Sequence, residues 1–295
     1  MKSKQGIALL LALAMLITTT LQGTVVNAQE VKEVCSMDMA IKPTIEASWS
    51  TGENICIEIT NKSEKNIEGW NLIFYGDYPI INIWNGTIKN DDNGLYVISD
   101  ADWNSEIKPN ETISFGFIIE KDIDEVNWLP MSFLFIENEL SDYMSILESD
   151  WDNDGLLNIE ELCIGSSSYD SHSMSNVSSD YEVYSKLAQE ICNDNKRVSA
   201  RIGGKYAVKK AVKWAIKHMD DLVDEVGKLM GKNAAKKLAK NSNKVVKTLN
   251  KLLEYEDLAF STVQDQVRNT LTPLVGYSTA SVIALGVRLV LEVVV

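Results

Sequence analysis

Three tryptophans, Trp70, Trp84 and Trp103, are each followed by asparagine within a run of alternating β-forming residues from Ser48 to Phe117, and Trp49 stands at its start. Ile55, Ile57 and Ile59 alternate with more polar neighbours, as do Ile113, Phe115 and Phe117, which is the spacing of strands with one buried face. Trp70 shares parity with Leu72 and Phe74 and is therefore read as core, where a large ring buries the most area. The other three do not fit that phase. Trp49 lies between Ser48 and Ser50, Trp103 lies between Asp102 and Asn104, and Trp84 is out of step with Ile81 and Ile83. Apolar rings where the pattern asks for polar residues need a partner outside the core. Three of them predict a flat platform for the C–H face of a sugar, with nearby Asn, Asp and Ser side chains for its hydroxyls. The competing reading is that these rings fill a small core.

The order W-S-T-G at 49–52, I-T-N at 59–61, G-W-N-L at 69–72, I-W-N-G at 83–86, D-W-N at 102–104 and S-F-G-F at 114–117 resembles a family 2 carbohydrate-binding module. That family is a bacterial cellulose- and xylan-binding, immunoglobulin-like antiparallel β-sandwich. The resemblance implies that Trp49, Trp84 and Trp103 stack on a polysaccharide and that Trp70 is internal. Asn110 departs from the family's glycine before the S-F-G-F strand. The family's disulfide between the sandwich ends has no counterpart, since no cysteine lies near residue 137.

The amino end reads as an export signal. Lys2 and Lys4 precede an apolar run from Ile7 to Ile17, and Val26-Asn27-Ala28 offers a cleavage site after Ala28, so residues 1–28 are expected to be removed and the protein secreted. An uncleaved anchor is the alternative. Export places Cys35, Cys56, Cys163 and Cys192 where disulfides persist. Three pairings are possible, of which Cys35–Cys56 with Cys163–Cys192 keeps each bridge local, and the sequence does not choose among them. Residues 29–40 read as an N-terminal linker and 41–138 as the sandwich.

Between Asp150 and Glu161 the chain reads D-W-D-N-D-G-L-L-N-I-E-E. Asp150, Asp152 and Asp154 hold positions 1, 3 and 5 of an EF-hand-like loop, and Gly155 makes the turn. Leu156 offers a carbonyl at position 7, Asn158 stands at 9 and Glu161 closes at 12. Leu157 is expected to point inward. The donors are hard oxygens, so the cation implied is Ca²⁺. Segment 139–170 resembles extracellular thrombospondin type 3 calcium repeats, and dockerins share the loop. A dockerin needs two copies, and D-S-H-S-M-S-N-V from Asp170 lacks the ligands, so one loop is read as a rigid joint. Ser166 to Ser179 is Ser-, Asp- and Asn-rich and reads as linker, and Tyr181 to Cys192 as a helix, so residues 171–199 are taken together as linker and short helix.

The net charge of −14 conceals opposite ends: residues 195–295 hold 18 Lys+Arg against 9 Asp+Glu, leaving 10 against 33 before them. Ala207, Val208, Ala211, Val212, Ala215, Ile216 and Met219 cover one side of a helix whose other side carries Lys209, Lys210, Lys213 and Lys217. Similar spacing continues to Met230 and resumes at Val245, with breaks expected at Gly231 and at Asn241–Asn243. The apolar stretch Tyr277–Val295 contains Arg288 and Glu292, which favours a buried bundle helix over a membrane span, although its valine-rich end also alternates like a strand. Residues 200–295 thus form a basic helical domain, read either as a partner for an anionic membrane surface or as a bundle whose lysines simply face water. The order R-I-G-G-K-Y-A-V-K-K-A-V, G-K-N-A-A-K-K-L, L-L-E-Y-E-D-L resembles a family of small secreted bacterial proteins catalogued as candidate toxins. Nucleic acid is not an expected partner.

The whole is a multidomain all-β plus all-α chain, read as a non-catalytic polysaccharide-binding protein tethering a basic helical domain. The alternative is an enzyme or accessory component of polysaccharide degradation. No G-x-S-x-G or H-E-x-x-H motif supports that alternative.

Overall fold

The computed structural model describes residues 34–35, 38–76, 78–92, 94–122, 128–137, 143–193 and 205–294. The expected leader, residues 1–28, lies outside them. In chain order the strands are β1 (Val34–Cys35), β2 (Met39–Trp49), β3 (Gly52–Asn61), β4 (Ile67–Glu68), β5 (Trp70–Tyr75), β6 (Ile80–Trp84), β7 (Thr87–Asp92), β8 (Leu95–Ser99), β9 (Glu106–Ile107), β10 (Thr112–Glu120) and β11 (Leu134–Glu137). The helices are α1 (Tyr143–Leu147), α2 (Asn158–Ile164), α3 (Asp180–Asn193), α4 (Lys205–Lys217), α5 (Met219–Met230), α6 (Lys232–Leu252), α7 (Phe260–Val275) and α8 (Tyr277–Val293). The chain divides into two compact units. One holds the described residues up to Ser173 together with Ser179–Tyr181, and the other holds Met174–Ser178 and Glu182 onward.

In the first unit an antiparallel five-stranded sheet, β1-β2-β3-β10-β6, and an antiparallel four-stranded sheet, β11-β5-β8-β7, share one core. The predicted alternation supplies it: Ile55, Ile57, Ile59, Phe115 and Phe117 come from one sheet, and Trp70, Leu72 and Phe74 from the other, all fully buried. Trp70 stacks on Phe115 at 5.6 Å between ring centroids, and Phe74 stacks on Phe117 at the same distance. Residues 34–35 and 39–40 are not linker. Met39 and Ile41 have the parity of the buried set, so β2 begins at Met39, and Val34 pairs with Ile41. Asn110, where the resembled family has glycine, has φ 63°, a left-handed conformation that asparagine tolerates.

The four-stranded sheet is buried on both faces. Leu134, Ile73 and Val97 form one register row pointing away from the shared core and are nonetheless fully buried, with α2 lying against β5. The loop-bearing segment is therefore packed onto this sheet. The Tyr169 hydroxyl accepts the Phe135 N–H at 3.0 Å and its ring meets Trp151 at 5.4 Å. Ser166 and Ser168 are buried, and Asp180 N–H returns to the Ser171 carbonyl, so the serine-rich stretch is a series of packed turns and not an open spacer. By contrast, the outer face of the five-stranded sheet carries Lys42, Glu58, Thr60 and Thr112, the composition of a solvated surface.

In the second unit α4 to α8 pack together, and α8 contacts each of the other four. The apolar stripe of α4 is buried while Lys210, Lys213 and Lys217 are exposed. Helicity breaks at His218 and Gly231 but runs through Asn241–Asn243, because Asn241 Nδ2 donates to the Lys237 carbonyl one turn back and leaves the helical ladder intact. Tyr277–Val293 is helical, so the valine alternation does not make a strand; Arg288 pairs with Glu292 at 2.9 Å and donates to Gln264 at 3.0 Å. Among the described residues no helix is long and apolar enough to cross a membrane.

Candidate functional site

Register fixes the placement of two of the three predicted rings. In β3 the inward residues are odd-numbered from Glu53 to Asn61, so Gly52, Asn54 and Cys56 face outward. Gly116 is opposite both Cys56 and Trp84, and Trp49 is opposite Gly52. Since directly paired residues share a face, Trp49 and Trp84 lie on the same solvent side of the five-stranded sheet. Four residues of strand separate their rows, about 14 Å at the usual rise per residue. Asn54, Ile118 and Asn82 occupy the row between them.

Each ring lies over a glycine. A Cβ built on Gly52 would fall 2.7 and 2.8 Å from Trp49 ring carbons, and one on Gly116 would fall 2.8 Å from the Trp84 indole nitrogen and nearer still to its ring carbons. Any larger residue at either place would lift the indole off the sheet. Trp49 remains 42% exposed and Trp84 is half-buried against the strand beneath it.

Trp103 is 73% exposed on a turn whose hub is the buried Asn104. Asn104 Oδ1 accepts the Ala101 N–H at 2.8 Å, its Nδ2 donates to the Asn85 carbonyl at 2.8 Å, and its own carbonyl accepts the Trp70 indole N–H at 2.9 Å. Asn104, the residue after Trp103, thus ties the turn at Ala101 to the core tryptophan and to the residue after Trp84. The expectation that the neighbouring asparagines are all sugar donors is corrected here: Asn104 is consumed by the scaffold. Nothing in the sequence separates it from Asn71 and Asn85, because its partners lie 19 and 34 residues away.

A buried ion pair secures the turn that carries Trp49. Lys121 Nζ meets Glu53 Oε1 at 2.6 Å, the other Glu53 oxygen accepts the Trp128 N–H at 3.0 Å, and Lys121 N–H bonds the Thr51 carbonyl. Trp128 is half-buried and edge-on to Tyr78. Cys56 is a thiol, held up in pKa by burial and then by Glu46.

The acidic loop has its own geometry. Carboxylate oxygens of Asp150, Asp152 and Asp154 converge within 4.8 Å. Asp150 Oδ2 accepts the Gly155 N–H, Asp152 Oδ1 the Asp154 N–H and Asp154 Oδ1 the Leu156 N–H, so the backbone wraps around its own acids. Asp150 Oδ1, Asp152 Oδ2 and Glu161 Oε2 are buried with no hydrogen-bond partner. Burial, then Asp154, push Asp152 up to about 6; burial, then Asp152, push Glu161 up to about 9. Orphaned buried carboxylate oxygens facing one another are satisfied by a hard cation, so the residues present fit Ca²⁺. Asn158 also braces the loop, since its Oδ1 accepts the Trp151 N–H and its Nδ2 donates to the Ile146 carbonyl. The fully inward leucine is Leu156, whereas Leu157 is half-buried because it sits in extended conformation at the start of α2. The sequence reading missed Asp180, a buried acid whose charge acts on Asp152, Asp154 and Glu161.

Residues 39–129 match the family model of the cellulose binding domain. Residues 203–294 match that of YqxI, an uncharacterised protein, and that match carries no function with it. Endoglucanase C of Cellvibrio japonicus is 35% identical over 71 residues, covering 24% of this chain and 9% of that protein. Endo-1,4-beta-xylanase A of the same organism is 32% identical over 74 residues, covering 25% and 12%. The chain therefore spans about a tenth of the length of these relatives. Among solved structures, chitinase ChiA74 from Bacillus thuringiensis is similar over 32% of this chain and 15% of that one, at 26% identity and a TM-score of 0.28. The cellulose-binding family 2 domain from ScLPMO10C is similar over 30% and 86%, at 22% identity and a TM-score of 0.25. The antiparallel β-sheet portion of the chain thus matches the cellulose binding domain model and is similar to segments of an endoglucanase and a xylanase, and the helical portion matches an uncharacterised family.

Proposed function

We propose that this is a secreted, non-catalytic polysaccharide-binding protein whose β-sandwich grips cellulose, xylan or a related cell-wall glycan through Trp49, Trp84 and Trp103. The observation that carries this is the pair of indoles lying over outward-facing glycines on the same outer face of the five-stranded sheet. Flat rings held against a flat face suit the C–H faces of an extended glycan chain, whereas glycoside hydrolysis needs, in addition, two opposed carboxylates in a cleft. Sedimentation with insoluble cellulose tests it: the full chain should leave the supernatant, and failure to bind cellulose, xylan and chitin alike would overturn it. No reducing sugar should be released.

Ring placement can be tested without removing a ring. Gly116→Val should reduce sedimentation about as much as loss of Trp84 itself, while the melt stays within ~1 kcal/mol of wild type, because a β-branched residue is well suited to a solvent-facing strand position. Binding that persists would show that the Trp84 ring need not lie flat.

The reading includes Ca²⁺ at Asp150, Asp152, Asp154, Glu161 and the Leu156 carbonyl, with Asn158 shaping the loop. When bound, the cation would neutralise the acids and stiffen the segment leading out of the carbohydrate module. The helical portion is proposed to rest peripherally on an anionic surface. Lys232, Lys236, Lys240, Lys244, Lys247 and Lys251 are all exposed or half-exposed along α6, which contains no acidic residue. The full chain should then float with anionic vesicles and not with neutral ones, and the association should fade with added salt. Equal flotation with both would remove the electrostatic reading.

A further inference from the structure

The acidic loop does not end with its own twelve residues. The first residues of α3, Asp180 and Tyr181, are folded into the same unit as the loop, whereas α3 from Glu182 onward belongs to the other unit. Tyr181 N–H donates to Asp154 Oδ2 at 2.9 Å, and the Tyr181 ring comes within 3.7 Å of a Cβ built on Gly155. Asp180 itself is 0% exposed; its N–H bonds the Ser171 carbonyl and its Oδ2 accepts the Ser173 hydroxyl at 2.6 Å. A further carboxylate is thereby brought next to the residue that bonds Asp154, and its charge acts on Asp152, Asp154 and Glu161. Glu161, also 0% exposed, keeps Oε2 without a hydrogen-bond partner, which independently marks the place as one that holds a cation.

We infer that a divalent cation in this loop is what allows Asp180 and Tyr181 to dock against it, because the buried Asp180 carboxylate otherwise lies close to the half-buried acids Asp152 and Asp154, which share its sign. This rests on the Ca²⁺ reading above and adds a consequence to it. Four of the five acids are bound to one loop and its helix and cannot separate. Asp180 arrives on a different segment, so the cheapest relief of repulsion is for Asp180 and Tyr181 to leave, breaking the Tyr181–Asp154 hydrogen bond. Cation binding removes the repulsion and restores the bond. Asp154 is the mechanical link, since one of its oxygens holds the loop through Leu156 N–H and the other holds α3 through Tyr181 N–H.

Hydrogen exchange of the full chain, in Ca²⁺ and in chelator, reads this directly. The amides of Asp180 and Tyr181 should exchange at least ~10-fold faster in chelator, a tenfold change being 1.4 kcal/mol. Asp180→Asn keeps a side chain able to start a helix, so it should hold these amides protected in chelator nearly as well as in Ca²⁺. Asp170→Asn, which removes an exposed acid nearby, should behave as wild type. Calorimetry with Ca²⁺ alone separates the two levels. No heat of binding in wild type overturns the cation reading. Binding with equal protection in both conditions, or loss of the difference in Asp170→Asn as well, overturns the role given to Asp180.

Discussion

Trp84→Ala and Trp103→Ala will each strip the protein from cellulose while leaving its melt nearly unchanged. An indole lying on a sugar ring removes apolar area worth roughly 1 to 2 kcal/mol at ~25 cal/mol per Å². The dissociation constant should therefore rise about 5- to 30-fold per ring. Neither side chain is in the shared core: Trp103 projects from its turn and Trp84 lies on the outer face above Gly116. Trp70→Ala should do the reverse. It removes a fully buried ring that stacks on Phe115 and bonds the Asn104 carbonyl, a loss of about 3 to 5 kcal/mol. Against a total stability of roughly 5 to 15 kcal/mol, that variant should be poorly folded. Sedimentation beside a thermal melt, for all three variants, gives the comparison. A collapsed melt for Trp84→Ala or Trp103→Ala would show that those rings are structural.

Chelation should lower the melting temperature of the unit that carries Trp49, Trp84 and Trp103, and Ca²⁺ should restore it. Extracellular sites of this kind bind at ~0.1 to 1 mM, so ~10 mM Ca²⁺ stabilises by about 1.4 to 2.7 kcal/mol. For a unit of this size that is a shift of roughly 3 to 10 °C. The whole unit is expected to respond, because α2 lies against β5 and the Tyr169 hydroxyl is bonded to β11. Asp152→Asn and Glu161→Gln should abolish the Ca²⁺-linked shift, and Asp170→Asn should not. An unchanged wild-type melt in chelator and in ~10 mM Ca²⁺ would remove the cation from the account.

Much of this was legible from local pattern. Ile55, Ile57 and Ile59 are buried as their alternation requires, and Trp70 goes inward with Leu72 and Phe74. The spacing of Asp150, Asp152, Asp154 and Glu161 marked the loop that the structure closes around its own carboxylates. What failed was local reading of residues whose role is set at a distance. Asn241–Asn243 reads as a break, yet it lies mid-helix because α6 is packed along its length by α5 and α7. The stretch from Ser166 to Ser179 reads as linker, yet the Ser166 hydroxyl bonds Glu161 and the Ser173 hydroxyl bonds Asp180.

By itself the amino-acid order determined which residues share a side: period two in the strands, period near 3.6 in the helices, and fixed offsets in the acidic loop. Only the tertiary structure decided what each side meets. Both sheets have two faces with apolar residues on them, and the outer row of Ile73, Val97 and Leu134 is buried, with α2 against β5, while Trp49 and Trp84 are left partly to solvent. The same holds for Asn104 and Asp180, which look like their neighbours in the chain. Parity follows from the backbone of a single segment, whereas coverage of a face and crowding of like charges depend on segments far apart in sequence.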